Sequence, residues 1–202
     1  MLPLVRYKKV EDCKNTDLKA LVSPVRIEKA SRFKHEADFN RSVCAEILLN
    51  EMAKELFPGI KTPLTLTYDE KGKPHCKKQD GLPLHFSLSH SGDFVACIIS
   101  DRPCGIDIER IREKDITTLA DRVLTPAERQ KITVWEFYET WTVKESVLKA
   151  LGTGLLLDMR LISVERDGTN VTAEAALDGS KILKGEILPA PEGYCLSYVE
   201  LQ

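Results

Sequence analysis

No apolar run in this sequence approaches the roughly 20 residues that a bilayer-crossing helix requires; the longest lies around Phe94–Ile99. The N-terminus likewise lacks the basic, apolar and small-residue regions of a secretory signal, so a cytoplasmic protein with no membrane partner is expected. Charge of one sign is not in excess either: 29 Lys and Arg against 31 Asp and Glu give a net charge of −2. That balance supplies no general field for nucleic acid or anionic lipid, and any anion site must be local. The cysteines, Cys13, Cys44, Cys76, Cys97, Cys104 and Cys195, include no Cys-x-x-Cys pair and no neighbouring His at zinc-finger spacing. They read as reduced, mostly structural thiols rather than a disulfide framework or a zinc site. Low-complexity segments and obvious linkers are also missing.

What is present describes an ordinary globular chain. Its 202 residues, 43% hydrophobic and 30% charged, suffice for one domain or for two compact halves of about 100 residues each. Ser23-Pro24 supplies a helix start and Pro58-Gly59 a stop, with a break near His35 dividing the helical stretch between them. After Pro63 the pattern turns to strands, first around the Asp69 to Pro74 turn, then in three runs between His85 and Arg110 that read as an antiparallel meander. A second helical region covers about Pro126 to Leu151 and stops at Gly152-Thr153-Gly154. Four further strands, starting at Ile162, Val171, Ile182 and Tyr194, follow it, with Asp178-Gly179 among their turns. Helix followed by hairpins thus occurs twice, which predicts an α+β fold of two similar halves, 1–103 and 104–202, each with a helix packed on an antiparallel sheet.

The residues that carry chemistry fall into three groups. Asp107 and Glu109 are two apart on a strand and project from one face, with Ile106 and Ile108 on the other. Like charges so close are relieved by a divalent cation, and oxygen-only donors favour magnesium over zinc; a solvated edge strand would carry the same pair. If the meander pairs as read, the strand ending in Ser89-His90-Ser91-Gly92 lies beside them. On the helix, Trp141, Lys144, Glu145 and Lys149 share a face opposite Val143, Val147, Ala150 and Leu151. Three carboxylates, two lysines and a histidine suit phosphate chemistry, while an ordinary Glu145–Lys149 surface pair is the plainer account. Arg26, Lys29 and Arg32 recur at spacings of three, as a phosphate site or a solvated helix face would.

The ordered motifs resemble the Sfp-type 4′-phosphopantetheinyl transferases. Gly105 to Glu109 is similar to that family's GIDIE strand motif, and Trp141 to Gly152 to its WxxKES helix followed by lysine and glycine. Phe86 to Gly92 and Glu70 to Pro74 resemble its serine-histidine-serine segment and its glycine-lysine-proline turn, and Ser23 to Arg41 its N-terminal coenzyme A region. The resemblance covers about residues 23 to 155 and implies a pseudodimer of two α+β halves acting as a monomer. It implies that Asp107, Glu109 and Glu145 coordinate magnesium, that Lys149 and His90 contact the pyrophosphate of coenzyme A, and that Arg26 and Lys29 approach its 3′-phosphate. Arg41, Lys73, Ser89 and Lys144 match the rest of that pocket. Arg26 stands where a relative has lysine, which keeps the charge and alters the geometry.

The reaction so implied is attack by a serine of an apo acyl or peptidyl carrier protein on the β-phosphate of coenzyme A, releasing adenosine 3′,5′-bisphosphate. Glu145, Lys149 and His90 are the catalytic candidates, with Glu145 or a metal-bound water as the base. Two other readings compete: a coenzyme A or carrier-binding module without turnover, and a metal-dependent nuclease. The nuclease predicts an E-x-K arrangement on the strand, where Glu109 is instead followed by Arg110-Ile111. Arg112 to Val134 is a candidate carrier-docking surface or an ordinary helix: Arg112, Lys114, Arg122, Arg129 and Lys131 mix with Leu119, Val123 and Leu124.

Overall fold

The structure, a computed structural model, describes residues 2–13, 18–76, 84–112, 116–130, 132–177 and 179–202. Lys114, Lys131 and Asp178, named above, lie outside the described residues. The chain divides into two compact units, Met1–Asp101 and Arg102–Gln202. Each is α+β, with one long helix packed against an antiparallel sheet.

In the first unit, strand β1 (Leu4–Lys9) and the short helix α1 (Leu18–Leu21) precede helix α2 (Pro24–Ala30). Ser23 caps α2, its hydroxyl accepting from Arg26 N, with Pro24 in the first turn where a missing N–H costs nothing. Helix α3 (Glu36–Leu56) is buried nearly all round from Ser42 to Met52. Its apolar residues, among them Val43, Ile47, Leu49 and Met52, pack with Val95, Cys97 and Ile99 in one core. The hairpin β2 (Leu66–Tyr68) and β3 (Pro74–Cys76) follows, then β4 (His85–Ser91) and β5 (Phe94–Ser100), which form with β1 a sheet of order β1-β5-β4.

Two expectations are corrected here. Cys13 and Cys44 are bonded, because α3 brings Cys44 against the single turn Val10–Cys13 with 5.6 Å between Cα atoms. Cys195, buried in the second unit, is a free thiol. Strand β6 (Cys104–Arg110) does not continue a meander from β5; it pairs with the last strand, in the other sheet. The turn at Ser100 to Cys104 passes the chain from one unit to the next, and strand-like runs in sequence carry no label of which sheet they join.

In the second unit, helix α4 (Thr117–Val123) precedes helix α5 (Val134–Leu151), and strands β7 (Ile162–Asp167), β8 (Asn170–Ala175), β9 (Lys181–Leu188) and β10 (Tyr194–Leu201) follow. The sheet order is β6-β10-β9-β8-β7, with every pairing antiparallel. A capping box of Thr133 and Glu136 opens α5, and Gly152, at φ 65°, closes it in the left-handed region that favours glycine. The expected helix start at Pro126 was eight residues early, since residues 126–130 form turns before the Thr133 cap. Among the described residues no helix is long and apolar enough to cross a membrane.

Candidate active site

Strand β6 and helix α5 touch unusually closely, and one residue permits it. A Cβ on Gly105 would lie 1.9 Å from the carbonyl oxygen of Ser146. The Ser146 hydroxyl donates to Ser197 O at 3.1 Å on the adjoining β10, pinning the helix to the sheet. One turn on, Lys149 Nζ reaches over the strand edge to Ile106 O at 3.0 Å and Asp107 Oδ1 at 2.6 Å. Asp107 is 3% exposed, so the solvated-edge reading of this pair fails at its first member; Glu109 is half-buried.

Glu145 sits one helical turn before Lys149 and faces the same strand. Burial pushes its carboxyl up to about 7, and the charges of Asp107 and Glu109 push the same way while Lys149 opposes them. Three carboxylates that feel one another in a half-buried place are hard oxygen donors short of positive charge. Among the described residues no three His, Cys, Asp or Glu side chains stand as an assembled metal site. The donor chemistry nevertheless fits a hard divalent ion, since the like-charge strain on Glu145 is what such an ion relieves.

Lys144 is placed elsewhere than the helix-face reading put it. It is 0% exposed, and its ammonium donates to Val123 O at 2.9 Å, Glu128 Oε2 at 2.6 Å and Met159 O at 3.2 Å. Burial lowers its pKa against the opposing pull of Glu128. The coenzyme-pocket assignment of Lys144 is therefore corrected: all three protons are spent inside the unit. The part-exposed stripe of α5 is Trp141, Glu145 and Lys149. Trp141 and Glu145 line a cleft of about 610 Å³, closed opposite by Leu119, Val123, Leu157 and Met159. Of the apolar residues in the expected docking stretch, Leu119 is exposed while Val123 and Leu124 are buried.

The remaining candidates lie in the first unit. Arg26 is turned inward, its Nε 3.0 Å from Oε2 of the fully buried Glu46, which also accepts from Ser23 N. Arg26 Nη2 is buried without a hydrogen-bond partner. Lys29 Nζ lies 3.8 Å from the centroid of the Tyr68 ring and donates to Gly72 O at 3.1 Å, which ties α2 to the turn that carries Lys73. Burial and the Arg26 charge lower the Lys29 pKa. Arg32 pairs with Glu28 in solvent, beyond the last turn of α2, and with Lys29 and Tyr68 it lines a shallow pocket that Arg26 does not reach. Arg41 donates to Gly92 O at 3.0 Å and holds Asp38, whose carboxyl is kept below its usual range first by that Arg41 hydrogen bond and more weakly by His90. On β4, Ser89 is buried and His90 exposed.

The structure thus gathers Asp107, Glu109, Glu145 and Lys149 in one place, Arg26, Lys29 and Lys73 around Tyr68 and its turn, and Arg41 with His90 in a third. Sequence reasoning passed over Gly105, Ser146, Ser197, Glu46 and Tyr68. Gly105 was legible as part of a motif, but its cause is a close approach that no local pattern reports.

An α+β protein with carboxylates and an ammonium converging between one strand and one helix, and a basic cluster set on an aromatic ring, belongs to phosphate-group chemistry. Comparison with known proteins makes the assignment specific. The model of the 4′-phosphopantetheinyl transferase superfamily matches residues 103–199, and that of the 4′-phosphopantetheinyl transferase N-terminal region matches residues 9–101. A 4′-phosphopantetheinyl transferase of Bacillus subtilis is 32% identical over 164 residues, covering 77% of this chain and 71% of the relative. The 4′-phosphopantetheinyl transferase Sfp of Bacillus subtilis strain 168 is 30% identical over 157 residues, covering 74% and 69%. The chain therefore belongs to the Sfp-type 4′-phosphopantetheinyl transferase family, and it is a transferase of that kind. Among solved structures, a holo-[acyl-carrier-protein] synthase of Thermotoga maritima is 19% identical, covers 50% of this chain and 62% of that one, and superposes with a TM-score of 0.41, too slight a likeness to bear on the argument.

Proposed function

We propose that this chain catalyses attack of a carrier-protein serine hydroxyl on the β-phosphate of coenzyme A, forming a serine phosphodiester to phosphopantetheine and releasing adenosine 3′,5′-bisphosphate. The convergence of Asp107, Glu109, Glu145 and Lys149 between β6 and α5 carries the reading, with Lys149 Nζ 2.6 Å from Asp107 Oδ1. Standing beside Asp107 and one turn from Lys149, Glu145 is placed to take the serine proton as the oxygen attacks. Lys149 moves its ammonium onto a pyrophosphate oxygen, where a preorganised positive charge favours the transition state over the ground state. Asp107, Glu109 and Glu145 would hold magnesium, which supplies countercharge to the pyrophosphate when bound.

The half up to residue 103 takes the coenzyme's nucleotide end. Lys29 and Lys73 contribute charge, and Arg26 offers Nη2 alone because its other nitrogens are engaged by Glu46 and Ser42. Arg41, Ser89 and His90 complete the coenzyme contacts, His90 toward the pyrophosphate. The half from residue 104 holds the metal and receives the acyl or peptidyl carrier. Two units of like build in one chain support a monomer, which we assign to the cytoplasm.

Incubation with coenzyme A, magnesium and a panel of apo carrier proteins, followed by intact mass measurement, tests the activity. A mass gain of one phosphopantetheinyl group on a carrier is expected; no gain on any carrier overturns the proposal. Asp107→Ala should abolish transfer with the fold retained, and full activity in that variant overturns the metal assignment.

A further inference from the structure

We infer that Lys144 is a positioning residue that sets the width of the cleft beside Glu145 and touches no substrate. The inference rests on the reading of Glu145 as part of the transfer site and deepens it. Three chain segments converge on one ammonium. Val123 is the last residue of α4, where backbone carbonyls run out of helical partners. Met159 opens the single turn Met159–Leu161, and Glu128 belongs to a turn in which Thr125 N donates to its Oε2 at 2.8 Å. Lys144 satisfies an acceptor on each.

Val123 and Met159 are also walls of the cleft, and the third wall, Trp141 and Glu145, rides on the helix that carries Lys144. One side chain therefore fixes two walls against the third. Lys144 is the immediate neighbour of Glu145 but points into the unit while Glu145 faces the strand, so a change at Lys144 is transmitted through wall spacing rather than through contact with the reacting groups. Without its charge, two buried carbonyls and Glu128 lose a common donor, and α4 and the 157–161 segment lose their tether to α5. Displacements of about 1 Å at a reacting centre cost up to about a hundredfold in rate.

The test uses the full chain with Trp135→Phe, which leaves Trp141 as the sole tryptophan and reporter of the cleft. Lys144→Met and the paired variant Lys144→Met/Glu128→Leu, which leaves no part-buried carboxylate stranded, are compared with the Trp135→Phe parent. Expected are a clear rise in acrylamide quenching of Trp141 in the ligand-free protein, a fall of about tenfold or more in kcat/KM, and partial rescue of both by Lys144→Arg, which keeps a buried donor. Should Lys144→Met fail to melt cooperatively, the paired variant carries the same measurements. Unchanged quenching with unchanged KM, and only a lower melting temperature, overturns the inference. So does weakened equilibrium binding of coenzyme A with quenching unmoved, because Lys144 would then touch the coenzyme. Quenching needs no turnover, so failure of the transferase reading and failure of this inference remain distinguishable.

Discussion

Lys149 Nζ stands 2.6 Å from Asp107 Oδ1, so a protein cation already engages a carboxylate proposed to hold magnesium. Metal binding must then compete with an ammonium until a phosphate draws it away. Lys149→Met should bind Mn²⁺, in the absence of coenzyme A, about tenfold or more tightly than the parent, the worth of one hydrogen bond to a charged group. Transfer activity should nonetheless fall. Titration followed by electron paramagnetic resonance measures the affinity, and equal or weaker binding in the variant contradicts the competition.

Glu145→Gln keeps the shape of the side chain and removes its basicity. Transfer should fall by about a hundredfold or more, the range in which positioned bases act, while the circular dichroism spectrum and melting transition persist. A rate within a factor of about two of the parent would reject Glu145 as base.

Gly105→Ala would put a Cβ 1.9 Å from Ser146 O and 2.7 Å from Ala150 N, both backbone atoms that cannot rotate aside. The helix must lift from the strand, at a cost of about 1–3 kcal/mol or more. A fall in the urea midpoint, with loss of activity beyond the loss of folded protein, is the expected result.

Arg26 and Glu46 form an ion pair with side chains 9% and 0% exposed. Removal of one partner strands a buried charge, so Arg26→Met should cost about 3–5 kcal/mol. The double variant Arg26→Met/Glu46→Leu should cost less than the single one. A double-mutant cycle by chemical denaturation decides, and simple additivity would mean that the pair is not coupled.

Burial, then the charge of Glu139, pushes the Cys195 thiol from 9.0 to about 12, and burial, then Glu186, pushes the Tyr198 hydroxyl from 10.0 to about 12. Both groups stay neutral in the fold at pH values where the unfolded chain ionises. Their contribution to stability is complete below about pH 9 and is lost as pH rises through about 12. The urea midpoint should fall across that window, and Cys195→Ala should make the fall shallower.

Periodicity and punctuation made most of the elements legible: Ser23-Pro24 opens a helix, Gly152 ends one, and the strands from Ile162 to Leu201 follow their turn residues. Sheet membership was not legible, because β5 and β6 read alike and differ only in their distant partners, β1 for one and β10 for the other. At the candidate site, spacing and resemblance singled out Asp107, Glu109, Glu145 and Lys149, which the fold brings near one another. The inward turn of Lys144 was not, since a helical wheel places charge outward by default and the three acceptors come from segments 15 to 21 residues away. The disulfide escaped for a related reason: its cysteines are 31 residues apart and meet only through the packing of α3.

The capping box at Thr133 and the left-handed Gly152 fix where α5 begins and ends, and Gly105 fixes how closely it lies on β6. Between those points the helix has no slack. Insertion of one residue between Thr133 and Glu145 would rotate Glu145 by about 100° around the axis and carry it off the strand. Changes of chain length between Thr133 and Gly152 are therefore ruinous, so a tag or a grafted loop belongs outside α5 and away from the turn in which Lys144 holds Glu128.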